Sequence, residues 1–225
     1  MGLLSDFYRS TLTKKAVMAV TGLMLFGFVL SHMIGNLKIY GGPEKLNAYA
    51  EGLKAVGAPF FGPGEFLWVA RAGLLAAVVL HMWSAWQLTL ISRRARPQGY
   101  AMVKHQNSTY ASRTLRWGGV ILLAFIVYHI LHLTVGNAHP DFKAGDVYHN
   151  VVVGFSNPLV SGFYILAQLA LGLHLYHGLW SLFQTIGWSG PRFNQVRQHF
   201  ALVFALVVSL ANISFPVAVL TGIVK

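Results

Sequence analysis

Histidine side chains recur within apolar stretches of this sequence. The run ALGLHLYHGLW at residues 170–180 holds two of them, His174 and His177, among aliphatic and aromatic neighbours. Neutral imidazole is a standard axial ligand of haem iron and a common ligand of other transition metals. A polar group at membrane depth is rare and is by default a functional candidate. The chemistry to consider first is therefore the binding of a haem or a metal ion.

Six of the ten histidines fall inside apolar stretches. They are His32, His81, His129, His132, His174 and His177. The other four lie in loops or at the edges of stretches and are interpreted as ordinary polar residues: His105, His139, His149 and His199. A single membrane histidine more often forms a hydrogen bond to a neighbouring helix. Histidines in four successive stretches favour a shared site instead.

The stretches that carry these histidines are long enough to cross a bilayer, which takes about 20 helical residues. Five of them lie near residues 16–37, 66–91, 115–136, 158–185 and 200–222. Only 10% of the 225 residues are charged and 55% are hydrophobic, whereas soluble domains carry about 25% charged residues. We therefore predict an all-α integral membrane protein with one domain over residues 1–225, a bundle of five transmembrane helices. A short interfacial helix is predicted at residues 44–56.

The net charge of +11 would suit a nucleic-acid partner, but the distribution of charge argues against one. One side of the five-span topology holds Arg9, Lys14, Lys15, Arg93, Arg94, Arg96, Lys104, Arg113, Arg116, Arg192 and Arg197. The other side holds Lys38, Lys45, Lys54, Lys143 and Lys225, offset by Glu44, Glu51, Glu65, Asp141 and Asp146. Excess Lys and Arg marks the cytoplasmic side, so the N-terminus is predicted inside and the C-terminus outside. The basic face would meet anionic membrane lipid or an acidic protein partner.

Helical rise sorts four of the histidines into two levels. His32 and His129 lie about 8 and 10 Å from the outer ends of their stretches. His81 and His174 lie about 15 and 17 Å from the inner ends of theirs. We call His32 with His129 the distal pair and His81 with His174 the proximal pair. Each pair would clamp one b haem between imidazoles of different helices, and two haems stacked across a membrane would carry electrons.

Spacing alone leaves two of these positions ambiguous. His129 with His132, and His174 with His177, are both His-x-x-His, which places the two rings on one helix face about one turn apart. The same spacing would suit one metal ion bound by several imidazoles. No carboxylate or thiolate lies inside any of the five stretches, so a zinc or manganese site is a poor alternative.

Arg71 is a cation inside the second stretch, about one and a half turns from its outer end and near the level of His32. Two interpretations stay open. The side chain would either extend to the outer interface or pair with a propionate of the haem at the distal pair.

Four segments share a characteristic combination of residues: LSHMIGNLKIYGGPEKLNAYAE (30–51), LHMWSAWQL (80–88), VYHILHL (127–133) and LHLYHGLWSLFQTIGW (173–188). Together and at this spacing they resemble the cytochrome b membrane-anchor subunit of succinate:quinone oxidoreductases, the five-helix, two-haem type of succinate dehydrogenase and fumarate reductase. The resemblance covers nearly the whole chain. It implies one haem ligand on each of the first four spans: His32, His81, His129 and His174.

The resemblance also chooses between neighbouring histidines. The family pattern places the ligand of the third span directly after an aromatic residue, here Tyr128, which implies His129. In the fourth span it places the ligand four residues before a Gly-Leu-aromatic turn, here Gly178-Leu179-Trp180, which implies His174. His132 and His177 then become neighbours of a propionate or quinone, or interhelical hydrogen-bonding groups.

By this resemblance the chain would anchor a flavoprotein and an iron–sulfur subunit to the cytoplasmic face of a bacterial inner membrane. Electrons from succinate would pass through the partners' clusters to two b haems and then to a quinone, menaquinone or a similar one. Succinate chemistry would reside in the partner subunits, and a higher oligomer of the complex is compatible with this role. Two alternatives are another bis-histidine cytochrome b, of hydrogenase or formate dehydrogenase, and a non-redox metal or proton transporter.

Overall fold

The computed structural model describes residues 10–95, 110–188 and 190–225, with side chains for all of these except 110–113. These residues form helices and no strand. The α-helices are α1 (Thr11–Asn36), α2 (Pro43–Gly52), α3 (Glu65–Arg94), α4 (Tyr110–Ile130), α5 (Val147–Phe155), α6 (Pro158–Thr185) and α7 (Pro191–Leu220). Five of them, α1, α3, α4, α6 and α7, are long and apolar enough to cross a membrane. The predicted all-α fold with five spans is confirmed.

Four of the spanning helices begin before the predicted spans, and α1 and α7 show why. Helix α1 starts at Thr11, where the Ser10 side chain caps it by accepting a hydrogen bond from the Thr13 backbone N–H at 3.0 Å. Helix α7 starts at Pro191, and proline is well suited to a first helical position because its missing N–H has no partner there. Apolar composition marks only the part of a helix that lies in lipid, whereas the hydrogen-bonded helix continues beyond it.

At one end of the bundle, which we call the basic end, the lysines and arginines have no acidic counterpart among the described residues. In the described ranges it holds Lys14, Lys15, Arg93, Arg94, Arg116, Arg192 and Arg197. Arg9, Arg96, Lys104 and the side chain of Arg113, predicted for the same end, lie outside what the structure describes, as does His105. The opposite end carries the short helices α2 and α5 and all acidic residues of the described ranges.

The short helices interlock at the opposite end. Helix α2, followed by a 3-10 turn over Leu53–Ala55, confirms the short helix predicted at residues 44–56. Its location at the membrane interface stays a prediction. The sequence does not predict helix α5, because its valines have low intrinsic helix propensity. It forms because Asp146 caps its first turn by accepting from the His149 N–H at 3.0 Å. Asn47 of α2 then donates to the Asp146 carboxylate at 2.9 Å and accepts from the Tyr148 N–H at 3.0 Å.

These hydrogen bonds predict a pH-dependent contribution of Asp146 to stability. The His149 N–H, and then the Asn47 amide, lower the pKa of the Asp146 carboxyl below its ordinary value of 3.8. We expect Asp146→Ala to lower the free energy of unfolding at pH 7 by about 1 kcal/mol, as is usual for loss of an N-cap. A lowered pKa in the folded state means that this stabilisation is complete above the unfolded pKa and disappears as the pH falls through the folded one.

The measurement is thermal unfolding of the purified protein at pH 7 and at several values below about pH 4. The Tm difference between wild type and Asp146→Ala should shrink over that acidic range. Asp146→Asn is the matched control, since asparagine is also a good N-cap but does not titrate. A Tm difference for Asp146→Ala that stays constant with pH would show that the charge of Asp146 contributes nothing.

The spanning helices form two groups, α1 with α3 and α4 with α6 and α7, and we call the space between the groups the cleft. Helix α1 packs along α3, α4 packs along α6, and α6 packs along α7. Shorter contacts of α1 with α6 and α7 join the groups. Helix α4 does not pack along α1 or α3, because apart from isolated positions of the described residues their Cα atoms are more than 8 Å apart. The same holds for α6 and α3. Side chains of α1, α3, α4 and α6 therefore have room to project into a common space.

Candidate functional site

The distal pair meets across this cleft. His32 of α1 and His129 of α4 have ring centroids 5.8 Å apart and ring planes at 85°. Phe28 stacks on His32 at 5.3 Å, and Phe125 lies 5.7 Å from His129. Two histidines about a hundred residues apart in sequence are thus brought together from helices that do not pack along each other.

The proximal pair meets in the same way. His81 of α3 and His174 of α6 have ring centroids 6.3 Å apart, with planes at 57°. Nδ1 of His81 lies 3.1 Å from the Met18 carbonyl oxygen and 3.2 Å from the Thr21 hydroxyl oxygen. A carbonyl oxygen only accepts, so Nδ1 carries the ring proton and Nε2 keeps its lone pair. Metal-binding histidines commonly donate their other ring N–H to a carbonyl in this manner.

Both pairs have the separation that a bis-imidazole iron site requires. Imidazoles on opposite sides of one metal ion have ring centroids about 6 Å apart, because this distance spans two metal–nitrogen bonds of about 2 Å each and half of each ring. Glycines adjoin the proximal pair: a Cβ at Gly22 would lie 3.2 Å from His81 Cε1, and one at Gly119 would lie 4.0 Å from His174 Cε1. Nδ1 of His174 is buried without a hydrogen-bond partner in the described part of the chain. The residues present fit a haem at each pair.

The two pairs lie at different depths along the bundle. Tyr164, whose ring is 5.9 Å from that of His129, precedes His174 on the same helix by about ten residues, or about 15 Å. Thr21, which contacts His81, precedes His32 by a similar length of α1. Two independent helices thus give the same separation of about 15 Å between the pairs.

His132 does not face the cleft. Its side chain is completely buried, stacks on Tyr128 at 5.3 Å and lies 5.0 Å from the His139 ring. Its Nδ1 is 3.0 Å from the Tyr164 hydroxyl, an interhelical hydrogen bond of the kind that the sequence left as an alternative. Glycine at position 154 makes this packing possible, since a Cβ there would lie 2.7 Å from His132 Cε1.

His177 lies one turn beyond His174 on α6 and contacts Trp180, with ring centroids 6.2 Å apart and nearly perpendicular planes. Its buried Nδ1 has no hydrogen-bond partner in the part of the chain that the structure describes. Across those residues, no three His, Cys, Asp or Glu side chains converge in a way that would hold a metal ion. The geometry therefore gives no support to a single metal site formed by both His-x-x-His segments.

Arg71 is exposed on α3, with its guanidinium 4.8 Å from the centre of the Trp68 ring. Among the described residues it forms no salt bridge with a carboxylate. The sequence predicts this charge near the level of the distal pair. The structure adds that the Trp68 indole packs against the Arg71 guanidinium. Such stacking holds a guanidinium in place and leaves its donors available to an anion.

Sequence reasoning missed the groups that hold the histidines. The Met18 carbonyl cannot be found from a sequence, because every residue has one. Tyr164 carries a usable signal: its hydroxyl is a polar group deep in the fourth apolar stretch, and buried tyrosine hydroxyls usually find a partner.

The fold and this cleft define a multi-pass helical membrane protein in which four spans each contribute one histidine to two facing pairs. Comparison with protein families gives the more particular assignment. The model of the succinate dehydrogenase/fumarate reductase transmembrane subunit matches residues 91–213, more than half of the chain. The chain belongs to that family. No curated protein and no solved structure shows a significant match.

The family assignment confirms the coarser part of the resemblance. It makes the chain a membrane subunit of an enzyme complex, succinate dehydrogenase or fumarate reductase, and favours this complex over hydrogenase or formate dehydrogenase. The matched residues include His129 and His174, whereas His32, Arg71 and His81 precede them. The assignment of iron ligands therefore depends on the geometry of the pairs.

Proposed function

We propose that this chain is the dihaem cytochrome b anchor of a succinate:quinone oxidoreductase, which passes electrons from an iron–sulfur subunit to a membrane quinone. One observation carries the proposal: histidines from four helices meet as two pairs, with ring centroids 5.8 and 6.3 Å apart. Haem bound at each pair would supply reversible one-electron transfer. The family assignment supports membership of the complex, and the two histidine pairs support haem as the cofactor.

In this proposal each named side chain has a defined task. His32 and His129 hold the distal haem, and His81 and His174 hold the proximal haem. All four bind as neutral imidazoles, so no net charge from the protein is buried. The Met18 carbonyl orients His81 by accepting from Nδ1 at 3.1 Å. Arg71, supported by Trp68, pairs with a propionate at the distal level.

The charge distribution supports an orientation and a docking face. The basic end lies at the cytoplasmic side of a bacterial inner membrane, because short loops rich in Lys and Arg stay inside. The N-terminus is then inside and the C-terminus outside. The same end receives the iron–sulfur and flavoprotein subunits, where arginines such as Arg93 and Arg94 would meet acidic surfaces. The quinone is menaquinone or a similar membrane quinone.

The proposal is tested on the complex purified from its native membrane through a tag on this chain. A flavoprotein and an iron–sulfur subunit should co-purify, and succinate should reduce the b-type absorbance that dithionite reduces fully. Subunits of hydrogenase or formate dehydrogenase would favour the other cytochromes b. A preparation without b-type absorbance would leave the transporter alternative.

A further inference from the structure

Tyr164 of α6 is placed between two histidines of the third span. Its side chain is 4% exposed, and its hydroxyl oxygen lies 3.4 Å from His129 Nδ1 and 3.0 Å from His132 Nδ1. A phenol has one proton to donate and lone pairs to accept with. The hydroxyl can therefore accept from one ring and donate to the other at the same time.

The direction of these two hydrogen bonds follows from the role proposed for His129. If Nε2 of His129 binds iron, then Nδ1 carries the ring proton and donates it to the Tyr164 oxygen. The phenol proton is then directed to Nδ1 of His132, which accepts it. The result is a hydrogen-bonded chain that begins at His129, the proposed iron ligand, and ends at His132, which has no such role.

The far end of this chain is held rigidly. His132 lies in the π-helical turn Leu131–Val135 that follows α4, and its ring is enclosed by Tyr128 and His139. Single π-turns within α-helices are frequent at functional sites. His139 is itself fixed, because Nε2 donates to the Asn150 carbonyl at 2.8 Å and Nδ1 accepts from the Asp141 N–H at 3.1 Å. His132 thus gives Tyr164 an acceptor that cannot move away.

We infer that Tyr164, anchored by His132, is a positioning residue that sets the orientation and basicity of His129 and thereby the reduction potential of the distal haem. This inference rests on the proposed function. The proximal haem has a different arrangement, since His81 donates to the Met18 carbonyl. A hydrogen bond from Nδ1 makes an imidazole a stronger electron donor to its metal, which favours ferric iron. Removing the acceptor should therefore raise the potential of the distal haem alone.

The test compares Tyr164→Phe with Tyr128→Phe in the purified complex by redox titration of the haem absorbance and by EPR of the ferric haems. Tyr128 is the matched control because its ring lies 6.1 Å from that of Tyr164 and its hydroxyl has no hydrogen bond in the described residues. In Tyr164→Phe we expect two haems per chain and a reduction equilibrium of the distal haem shifted toward the ferrous form by about three- to tenfold. A tenfold shift is 59 mV for one electron.

The expected pattern also includes an altered ferric EPR signal for the distal haem, an unchanged proximal haem, and no change in either haem of Tyr128→Phe. Distal potentials that are equal in wild type and Tyr164→Phe would overturn the inference, and so would equal shifts of both haems. A wild-type complex with fewer than two haems would instead contradict the proposed function, so the two failures can be told apart.

Discussion

Replacing His174 with alanine will halve the haem content of the purified complex, from two haems per chain to one. His174 is the side chain that α6 places opposite His81, at 6.3 Å between ring centroids. Without it one side of the proposed proximal iron would have no imidazole. His177 lies about 4.5 Å further along the helix axis and contacts Trp180 instead, so it is not positioned as a substitute. Haem per chain, measured by pyridine haemochrome against protein concentration, gives the result directly.

The matched control is His177→Ala, which changes the same residue type one turn away on the same helix. It should keep both haems, and its reduced spectrum should match that of wild type. The opposite outcome, with one haem lost in His177→Ala and both kept in His174→Ala, would mean that the ligand on α6 is His177. The proximal pair as described would then be wrong.

Replacing either histidine of the distal pair will remove the distal haem and stop electron transfer to quinone. His32 and His129 come from helices that do not pack along each other. No neighbouring helix would therefore place another side chain where the missing imidazole had been. Succinate:quinone reductase activity should fall by more than about 100-fold, since even the loss of a ligand's hydrogen-bond partner commonly costs 10–100-fold. The measurement is quinone reduction by the complex with succinate as the donor.

Two controls make this loss specific. Succinate oxidation with a soluble dye as acceptor should stay unchanged, because it bypasses the membrane subunit. His199→Ala should leave the haems and the quinone activity unchanged, since His199 is exposed and, among the described residues, bonds only to the Gln195 carbonyl of its own helix at 2.8 Å. Full quinone activity in His32→Ala or His129→Ala would show that electrons reach the quinone without the distal haem.

The spans and the pairing of histidines could be predicted from the sequence, because both depend only on length and position along the chain. Apolar length predicts a spanning helix, and a rise of about 1.5 Å per residue converts position into depth. That reasoning brought His32 to the level of His129 and His81 to that of His174, which is how the structure places them. It did not separate His129 from His132, because neighbours one turn apart differ little in depth.

What the sequence did not predict depends on contacts between distant residues. Helix α5 forms from a valine-rich segment because Asp146 and Asn47 hold its first turn. His132 turns away from the cleft because a π-helical turn and the space at Gly154 direct it toward Tyr164. Asp146 is a local N-cap signal, but Asn47, which completes the cap, and Tyr164, which bonds to His132, each come from another helix.

The central claim is that two haems are held between four helices of one chain, and haem stoichiometry tests it most directly. Pyridine haemochrome analysis of the purified wild-type complex, with the amount of this chain fixed by quantitative amino-acid analysis, should give two b haems per chain. A value of one haem or fewer per chain would contradict the account.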